Sequence, residues 1–285
     1  MPPHGEILLA VDASSRSFTA DDAHPAWALT AASYSPVPVL WGRDVPEGAT
    51  VVIRSTWDYV ERPEAFAAWL DLLDARGAVV HNPTELLRWN THKRYLLDLA
   101  DAGVPIVPTV LVPAGASCSV PEVMQRGGWD DAVAKPAVGG TARLAATSRR
   151  GGVAALQRHL DRVAEREDVL LQPYVRSIEQ TGEYSVIVVG GTVQLTVRKA
   201  PSGGEWRVQS DFGGTAEVVT MPDSARPVVE RTLAALPLTP TYARLDVVLG
   251  ADEAPQIMEC ELVEPELFFR MDPALAAAFI DELKR

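Results

Sequence analysis

Two apolar runs near the C-terminus, Leu245–Leu249 and Gln256–Leu262, flank a Gly250–Pro255 turn and pair as an antiparallel hairpin. If the turn sets Leu249 opposite Gln256, then Asp246 lies opposite Glu259, and Glu261 stands two residues further on the same face. The other face carries Leu245, Val247, Leu249, Met258, Cys260 and Leu262, which is a core face. Val248 and Ile257 join the acids, so theirs is not a simply solvated face. Directly opposed like charges destabilise a strand pair by roughly 0.2–1 kcal/mol. A divalent cation reverses that sign, and an all-oxygen set without His or Cys favours Mg²⁺, with Mn²⁺ as a substitute. A wet edge strand with scattered acids is the other use of this pattern.

A second constraint is V-A-K-P-A-V-G-G-T, Val133 to Thr141. A short apolar run ends in Lys135, Pro136 interrupts the ladder, and Gly139 and Gly140 let the backbone take positive φ and approach a ligand. A cation at a strand end before a glycine turn suits a triphosphate. In isolation the same string is a strand, a turn and a solvated lysine.

The cations sharpen the choice, because 22 are Arg and only 4 are Lys: Lys93, Lys135, Lys199 and Lys284. Arg replaces Lys freely on a surface but not where a compact ammonium is required. The three internal lysines are therefore candidates. A net charge of -12 argues against a nucleic-acid backbone or an anionic membrane as partner. Cys118 and Cys260 form neither a C-x-x-C pair nor a disulfide framework, and no signal peptide or membrane-length apolar run is visible, so a reducing cytoplasm is expected. A small molecule is the expected partner, and a homodimer is compatible with these numbers.

Strands over Glu6–Val11, Val37–Trp41, Thr50–Arg54 and Ala78–His81 alternate with helices over Asp21–Tyr34 and Pro63–Arg76, which predicts a parallel α/β lobe. R-S-T-W-D-Y follows its third strand, in a loop at a strand's carboxyl end where ligands bind in such sheets. Arg54, Ser55, Thr56 and Asp58 are therefore substrate candidates; a buried Trp57 and Tyr59 with a local Arg–Asp pair is the competing use. Helices follow over Thr84–Trp89 and Asn90–Ala102, with Lys93 near the start of the second, then a strand over Val107–Val112 and a short helix over Pro121–Gln125. Ala132–Lys135 and Ala142–Thr147 read as an antiparallel pair, Gly151–Glu165 as a helix and Val169–Gln172 as a strand. From Gln172 the pattern turns antiparallel, with Tyr184–Val189 and Thr192–Arg198 around Gly190-Gly191, a helix over Ser224–Leu236 and a closing helix over Pro273–Leu283. Between Thr196 and Thr215, Arg198, Lys199 and Arg207 sit beside glycine-rich loops, placed to stabilise charge on a transferring phosphoryl group or merely to decorate a charged hairpin. No G-x-x-x-x-G-K-[ST], G-x-G-x-x-G or H-E-x-x-H occurs.

The order of these motifs resembles the ATP-grasp superfamily from about Asn90 to Pro265. That resemblance implies an α/β fold with a Rossmann-like α/β domain over 1–89, a central lobe over 90–172 and a C-terminal lobe over 173–285, the two lobes sandwiching ATP. It implies that Lys93 and Lys135 contact ATP, that Gly139, Gly140 and Thr141 form a flap over its phosphates, and that Gln172, Pro173, Tyr174 and Val175 form the adenine hinge. Glu183 would take the ribose hydroxyls, Asp246, Glu259 and Glu261 the Mg²⁺, and Lys199, Arg207 and Arg244 the γ-phosphate and an acyl phosphate. Many members carry Asn where Glu261 stands, so this chain adds a negative charge. R-S-T-W-D-Y, G-E-Y-S, R-V-Q-S-D-F-G-G-T and E-x-E-L-V-E-P-E-L-F-F together are most similar to the D-cycloserine synthetase group. The implied activity is an ADP-forming carboxylate–amine ligase acting on an amino-acid-like substrate, with cyclisation of O-ureido-D-serine as its form in that group. An intermolecular ligase making a dipeptide-like product, and a nucleotide-binding protein without turnover, are the alternatives.

Overall fold

A computed structural model describes residues 5–14, 19–140, 142–209, 212–250 and 253–285. The chain forms β1 (Glu6–Val11), α1 (Ala23–Ala31), β2 (Ser35–Leu40), β3 (Thr50–Ser55), α2 (Pro63–Ala75) and β4 (Val79–His81) as a first parallel sheet in the order β2-β1-β3-β4. β1 is buried along all but its first residue, as expected of a central parallel strand covered on both faces. In α2, Phe66, Trp69, Leu70 and Leu73 recur at helical spacing and are all buried, while Gly77 at φ 61° closes the helix.

A second sheet, in the order β5-β8-β6-β7, is built from β5 (Val110–Val112), β6 (Ala132–Pro136), β7 (Ala146–Thr147) and β8 (Val169–Pro173). It packs against α5 (Val120–Gly127) and α6 (Gly152–Ala164) through Val123, Met124, Leu156, Leu160 and Val163. Two elements are shorter than the sequence predicts. The strand after the glycine turn is only Ala146–Thr147, and, after α3 (Thr84–Asn90), the helix predicted over Asn90–Ala102 begins only at Tyr95, as α4 (Tyr95–Asp101). The cause of the late start is tertiary: the Lys93 N–H donates to Ala137 O at 2.7 Å instead of joining a helical ladder, tying the lysine to the exit of β6.

The third sheet contains β9 (Glu183–Val189), β10 (Thr192–Ala200), β11 (Thr215–Val218), β12 (Tyr242–Leu249) and β13 (Pro255–Glu261), in the order β11-β10-β9-β12-β13. Gly190 and Gly191 sit at φ 56° and 74°, the conformation that a tight two-residue hairpin requires. α7 (Arg226–Ala235) covers one face of the sheet. α8 (Pro273–Leu283) returns to the first sheet, where Phe279 and Ile280 pack with Leu29, Ile7 and Leu9.

The acidic hairpin departs from its predicted register. Leu249 pairs with Pro255 and Val247 with Ile257, and a bulge then restores Asp246 opposite Glu259 and Arg244 opposite Glu261. The extra residue inverts two side chains. Ile257, predicted beside the acids, is fully buried in the core with Leu245 and Cys260, whereas Met258, predicted in the core, lines the cleft. Ile257 is held there by Ile257 N–H to Pro105 O and Val107 N–H to Ile257 O, both 2.9 Å.

Two buried asparagines fasten the third sheet to the start of the chain. Asn82 Nδ2 donates to Tyr242 O at 2.9 Å and Leu262 O at 2.7 Å. Asn90 Nδ2 donates to Cys260 O and its Oδ1 accepts from Leu262 N–H, both at 2.8 Å. Asn90→Ala strands a carbonyl and an N–H in the interior, at ~1–3 kcal/mol for each unpaired group. Urea unfolding of Asn90→Ala should therefore show about 2–5 kcal/mol lost, with the slope unchanged. A loss below about 1 kcal/mol would mean that water replaces the amide there.

Candidate active site

A cleft opens between the second and third sheets, and the internal lysines meet the acidic hairpin across it. Lys135, on β6, places Nζ 2.6 Å from Glu259 Oε1, and Lys93 Nζ lies 2.9 Å from Glu259 Oε2. Lys199, on β10, bridges Glu183 Oε1 at 2.6 Å and Asp246 Oδ1 at 3.3 Å. Arg244 Nη2 reaches Asp246 Oδ2 at 2.9 Å and Glu261 Oε1 at 2.5 Å. Ser185 Oγ donates to Asp246 Oδ1 at 2.5 Å. Strand registry produces this mesh: Lys199 is cross-strand from Glu183, Asp246 from Ser185 and Glu259, and Arg244 from Glu261.

The electrostatics follow from burial and sign. Burial opposes ionisation of Glu259, but Lys135 and Lys93 hold its carboxyl far below the usual range. Burial likewise opposes ionisation of Asp246, and Arg244 and Lys199 prevail. Glu261 has less compensation: burial, with Asp246 and Glu259 adding repulsion, pushes it up to about 7 against the pull of Arg244. Glu264 goes further, to about 8, through burial and the nearby Glu261 charge.

Asp246, Glu259 and Glu261 do not converge as a ready-made metal cage, and among the described residues no three His, Cys, Asp or Glu side chains do. Each acid is engaged instead by a lysine or arginine. The donor set nonetheless fits a hard divalent cation, with carboxylate oxygens on adjacent strands and no softer ligand among them. A metal-bound triphosphate would supply substitutes for both partners, phosphates for the cations and metal for the carboxylates.

The remaining sequence candidates separate into several groups. Gln172, Pro173, Tyr174 and Val175, at the end of β8, line the cleft together with Glu183. Gln172 is buried and donates to Thr109 Oγ1 at 2.8 Å, while the Tyr174 ring lies under Arg149, whose Cζ is 4.6 Å from the ring centroid. Gly139 and Gly140 line the cleft, but neither adopts positive φ; Ala142 and Leu144 do, at 55° and 49°. Thr141 lies outside the described residues. Arg207 also lines the cleft, yet Glu205 engages its Nε and Nη2 at 3.1 and 3.0 Å and the guanidinium stacks 3.4 Å from the Phe212 centroid.

A second cavity of about 590 Å³ adjoins this one and shares Lys93, Lys199, Arg244 and Glu261 with it. Arg54 and Ser55 line it. Thr56 and Asp58 do not: Thr56 is fully buried, and a 3₁₀ turn over Trp57–Glu61 carries Asp58 outward to Trp41 Nε1 and Arg62. Several residues of this wall escaped the sequence reading. Asp22 pairs with Arg54 at 2.8 Å, Asp21 with Arg270 at 3.2 Å, and Glu264 and Glu266 complete it. The aspartate pair looked like the start of a helix, and only the E-L-V-E-P-E string hinted at the glutamates.

The sequence pattern of the D-cycloserine synthetase DcsG N-terminal domain matches residues 7–82. The cycloserine biosynthesis protein DcsG of Streptomyces lavendulae is 32% identical over 252 residues, 82% of this chain and 83% of that protein. The crystal structure of D-cycloserine synthetase DcsG superposes with a TM-score of 0.87 at 28% identity, covering 98% of both chains. The ATP-grasp ligase PsnB, solved with a minimal precursor, Mg and ADP, shares the fold with a TM-score of 0.63 at 17% identity, covering 98% of both chains.

Proposed function

The chain belongs to the D-cycloserine synthetase family of ATP-grasp ligases, and we propose that it cyclises O-ureido-D-serine or a close analogue at the expense of ATP. It is an ATP-dependent ligase that uses Mg²⁺. The observation that carries the reading is the mesh of Lys93, Lys135, Lys199 and Arg244 with Glu183, Asp246, Glu259 and Glu261 between two sheets. Four cations balanced by four carboxylates leave no net charge for a triphosphate, which is why divalent metal belongs to the reaction.

In this reading the sheets correspond to an N-terminal domain over 1–89 and lobes over 90–172 and 173–285. The hinge from Gln172 to Val175 takes adenine, Glu183 the ribose, and Lys93 and Lys135 the phosphates, with the Gly139–Gly140 loop above them. Asp246, Glu259 and Glu261 would hold a divalent cation, Mg²⁺ or Mn²⁺, which would supply neutralising charge at the phosphates. A substrate carboxylate oxygen attacks the γ-phosphorus and ADP leaves. Lys199, Arg207 and Arg244 stabilise the charge spread over the transferring group. The ureido nitrogen attached to oxygen then attacks the acyl phosphate carbon, phosphate leaves, and the ring closes. Water removes the carbamoyl group as carbon dioxide and ammonia. Cleft walls on two sheets hold nucleotide and substrate together, which makes the ring closure effectively unimolecular. Cytoplasmic action on a small molecule is part of the same proposal, and the net charge of -12 fits a small-molecule partner better than a nucleic-acid one.

The test is ADP release with O-ureido-D-serine as sole acceptor, products being identified by mass. A ring product and one ADP per turnover are expected, and excess EDTA should abolish release until Mg²⁺ is restored. ADP release that requires a second amino acid would overturn cyclisation.

A further inference from the structure

Among the described residues, the acids around the two cavities are matched with cations, with one exception. Glu183, Asp246, Glu259 and Glu261 have Lys or Arg partners in the cleft, and Asp21, Asp22 and Glu266 have Arg54 or Arg270 in the adjoining cavity. Glu264, which lines that cavity, has no ion pair with any described residue, and its carboxyl is engaged by its own backbone N–H. Its Oε1 lies 3.8 Å from where a Cβ on Gly140 would stand, so its carboxylate is against the glycine loop. Asp21 faces the same cavity, is 91% buried by its 9% exposure, and leaves Oδ2 without a partner. Arg270 is divided between Asp21 and Glu266, at 3.2 and 2.5 Å. On this wall four carboxylates, Asp21, Asp22, Glu264 and Glu266, meet two guanidinia, Arg54 and Arg270. The cavity's opposite edge is cationic, with Lys93, Lys199 and Arg244.

We propose that this wall reads the substrate's ammonium group, with Glu264 as its principal counter-ion and Asp21 Oδ2 as a second acceptor, so that the ligase selects α-amino acids over their desamino counterparts. The inference rests on the ligase reading and adds the orientation of its substrate. A reacting carboxylate must lie at the cationic edge, beside the transferred phosphoryl group. The ammonium of the same molecule then points to the acidic wall. A half-buried carboxylate without a cation is costly, and a ligand's cation removes that cost only when the right ligand arrives. A site with such an acceptor rejects a ligand that lacks the donor, because its own polar group is then left buried and alone.

The experiment compares matched pairs: O-ureido-D-serine with 3-(ureidooxy)propanoate by ADP release, and D-serine with 3-hydroxypropanoate by calorimetry in the presence of ADP and Mg²⁺. The parent protein should favour the amino member by at least about 100-fold in kcat/KM and in affinity. Glu264→Gln should shrink that preference to below about 5-fold, mainly through KM for the amino substrate, and Asp21→Asn should shrink it less. Glu264→Gln removes no existing ion pair, so it should fold as the parent does, which circular dichroism checks. An equal fall in kcat for both members would mark Glu264 as a proton acceptor and overturn the assignment. So would equal binding of D-serine and 3-hydroxypropanoate to the parent. If O-ureido-D-serine gives no ADP, cyclisation fails, and the calorimetric pair still decides the ammonium site.

Discussion

Glu259→Gln should leave substrate-dependent ADP release at about one thousandth of the parent rate or less, a loss of ~4 kcal/mol in transition-state stabilisation. Glu259 is shared by the Lys93 and Lys135 ammonium groups, at 2.9 and 2.6 Å. Against the opposing effect of burial, two cations keep it ionised throughout the working pH range. The neutral amide cannot offer a charged oxygen to a divalent cation, and it leaves two lysines facing one another without an acid. These two effects have opposite signs for nucleotide binding. The freed lysines attract the triphosphate more strongly, while metal retention weakens. The expected signature is therefore a large fall in kcat with the KM for ATP unchanged or lower. Metal-free ATP binding, measured by calorimetry, should hold or tighten. A variant that kept its kcat would show that Glu259 serves only as a counter-ion in the nucleotide-free protein. The folded variant should also be less stable, by about 3–5 kcal/mol, because a buried ion-pair network has lost its acid. The assay therefore belongs well below the melting temperature.

How far the sequence disclosed this site depended on how local each signal was. β1 and α8 fall on their predicted spans because an uninterrupted apolar run and a helical apolar stripe are complete in themselves. The Asp246–Glu259 pairing was legible, although through two compensating shifts: the turn is one residue tighter than expected, and the bulge at Met258 restores the count. Nothing in the residues near Met258 announces that bulge. It is enforced from a distance by the backbone around Pro105 and Val107 gripping Ile257. The lysines were legible through scarcity against arginine, which is a chemical signal rather than a periodic one. Asn82 and Asn90 were not, since an asparagine that satisfies backbone groups some 160 residues away has no local signature. Glu264 belongs to the same class. Its neighbours in sequence are apolar or acidic, and only the folded cavity shows that it has no cation.

Arg244→Met should lower kcat by about 10³-fold while ADP binding stays within about threefold of the parent. Arg244 is the only side chain among the described residues whose guanidinium spans the Asp246 and Glu261 carboxylates. It lines both the nucleotide cleft and the adjoining cavity, so it stands where the two reactants meet. Nucleotide binding should survive because Lys93, Lys135 and the hinge from Gln172 to Val175 are untouched. Chemistry should not, because a fixed forked donor at the junction is lost and methionine supplies neither charge nor hydrogen bond. Arg244→Lys separates charge from shape. Its ammonium restores one positive charge but cannot hold both acids in the guanidinium's planar geometry, so recovery of about tenfold over the methionine variant is expected. Full recovery would mean that the field alone matters at this position. No fall in the methionine variant would move the phosphoryl-stabilising role to Lys199 and Arg207. Stability discriminates as well: Asp246 keeps Lys199 and Ser185 when Arg244 is removed, whereas Glu261 keeps no ion-pair partner. With Glu261 already pushed up to about 7 by burial and its acidic neighbours, the loss of Arg244 should raise it further. A raised carboxyl binds its proton more tightly folded than unfolded, so it withdraws stability as pH climbs from the ordinary carboxylate range through the folded value. The methionine variant should accordingly lose more melting temperature than the parent between about pH 5 and 8, and adding Glu261→Gln to it should remove that excess.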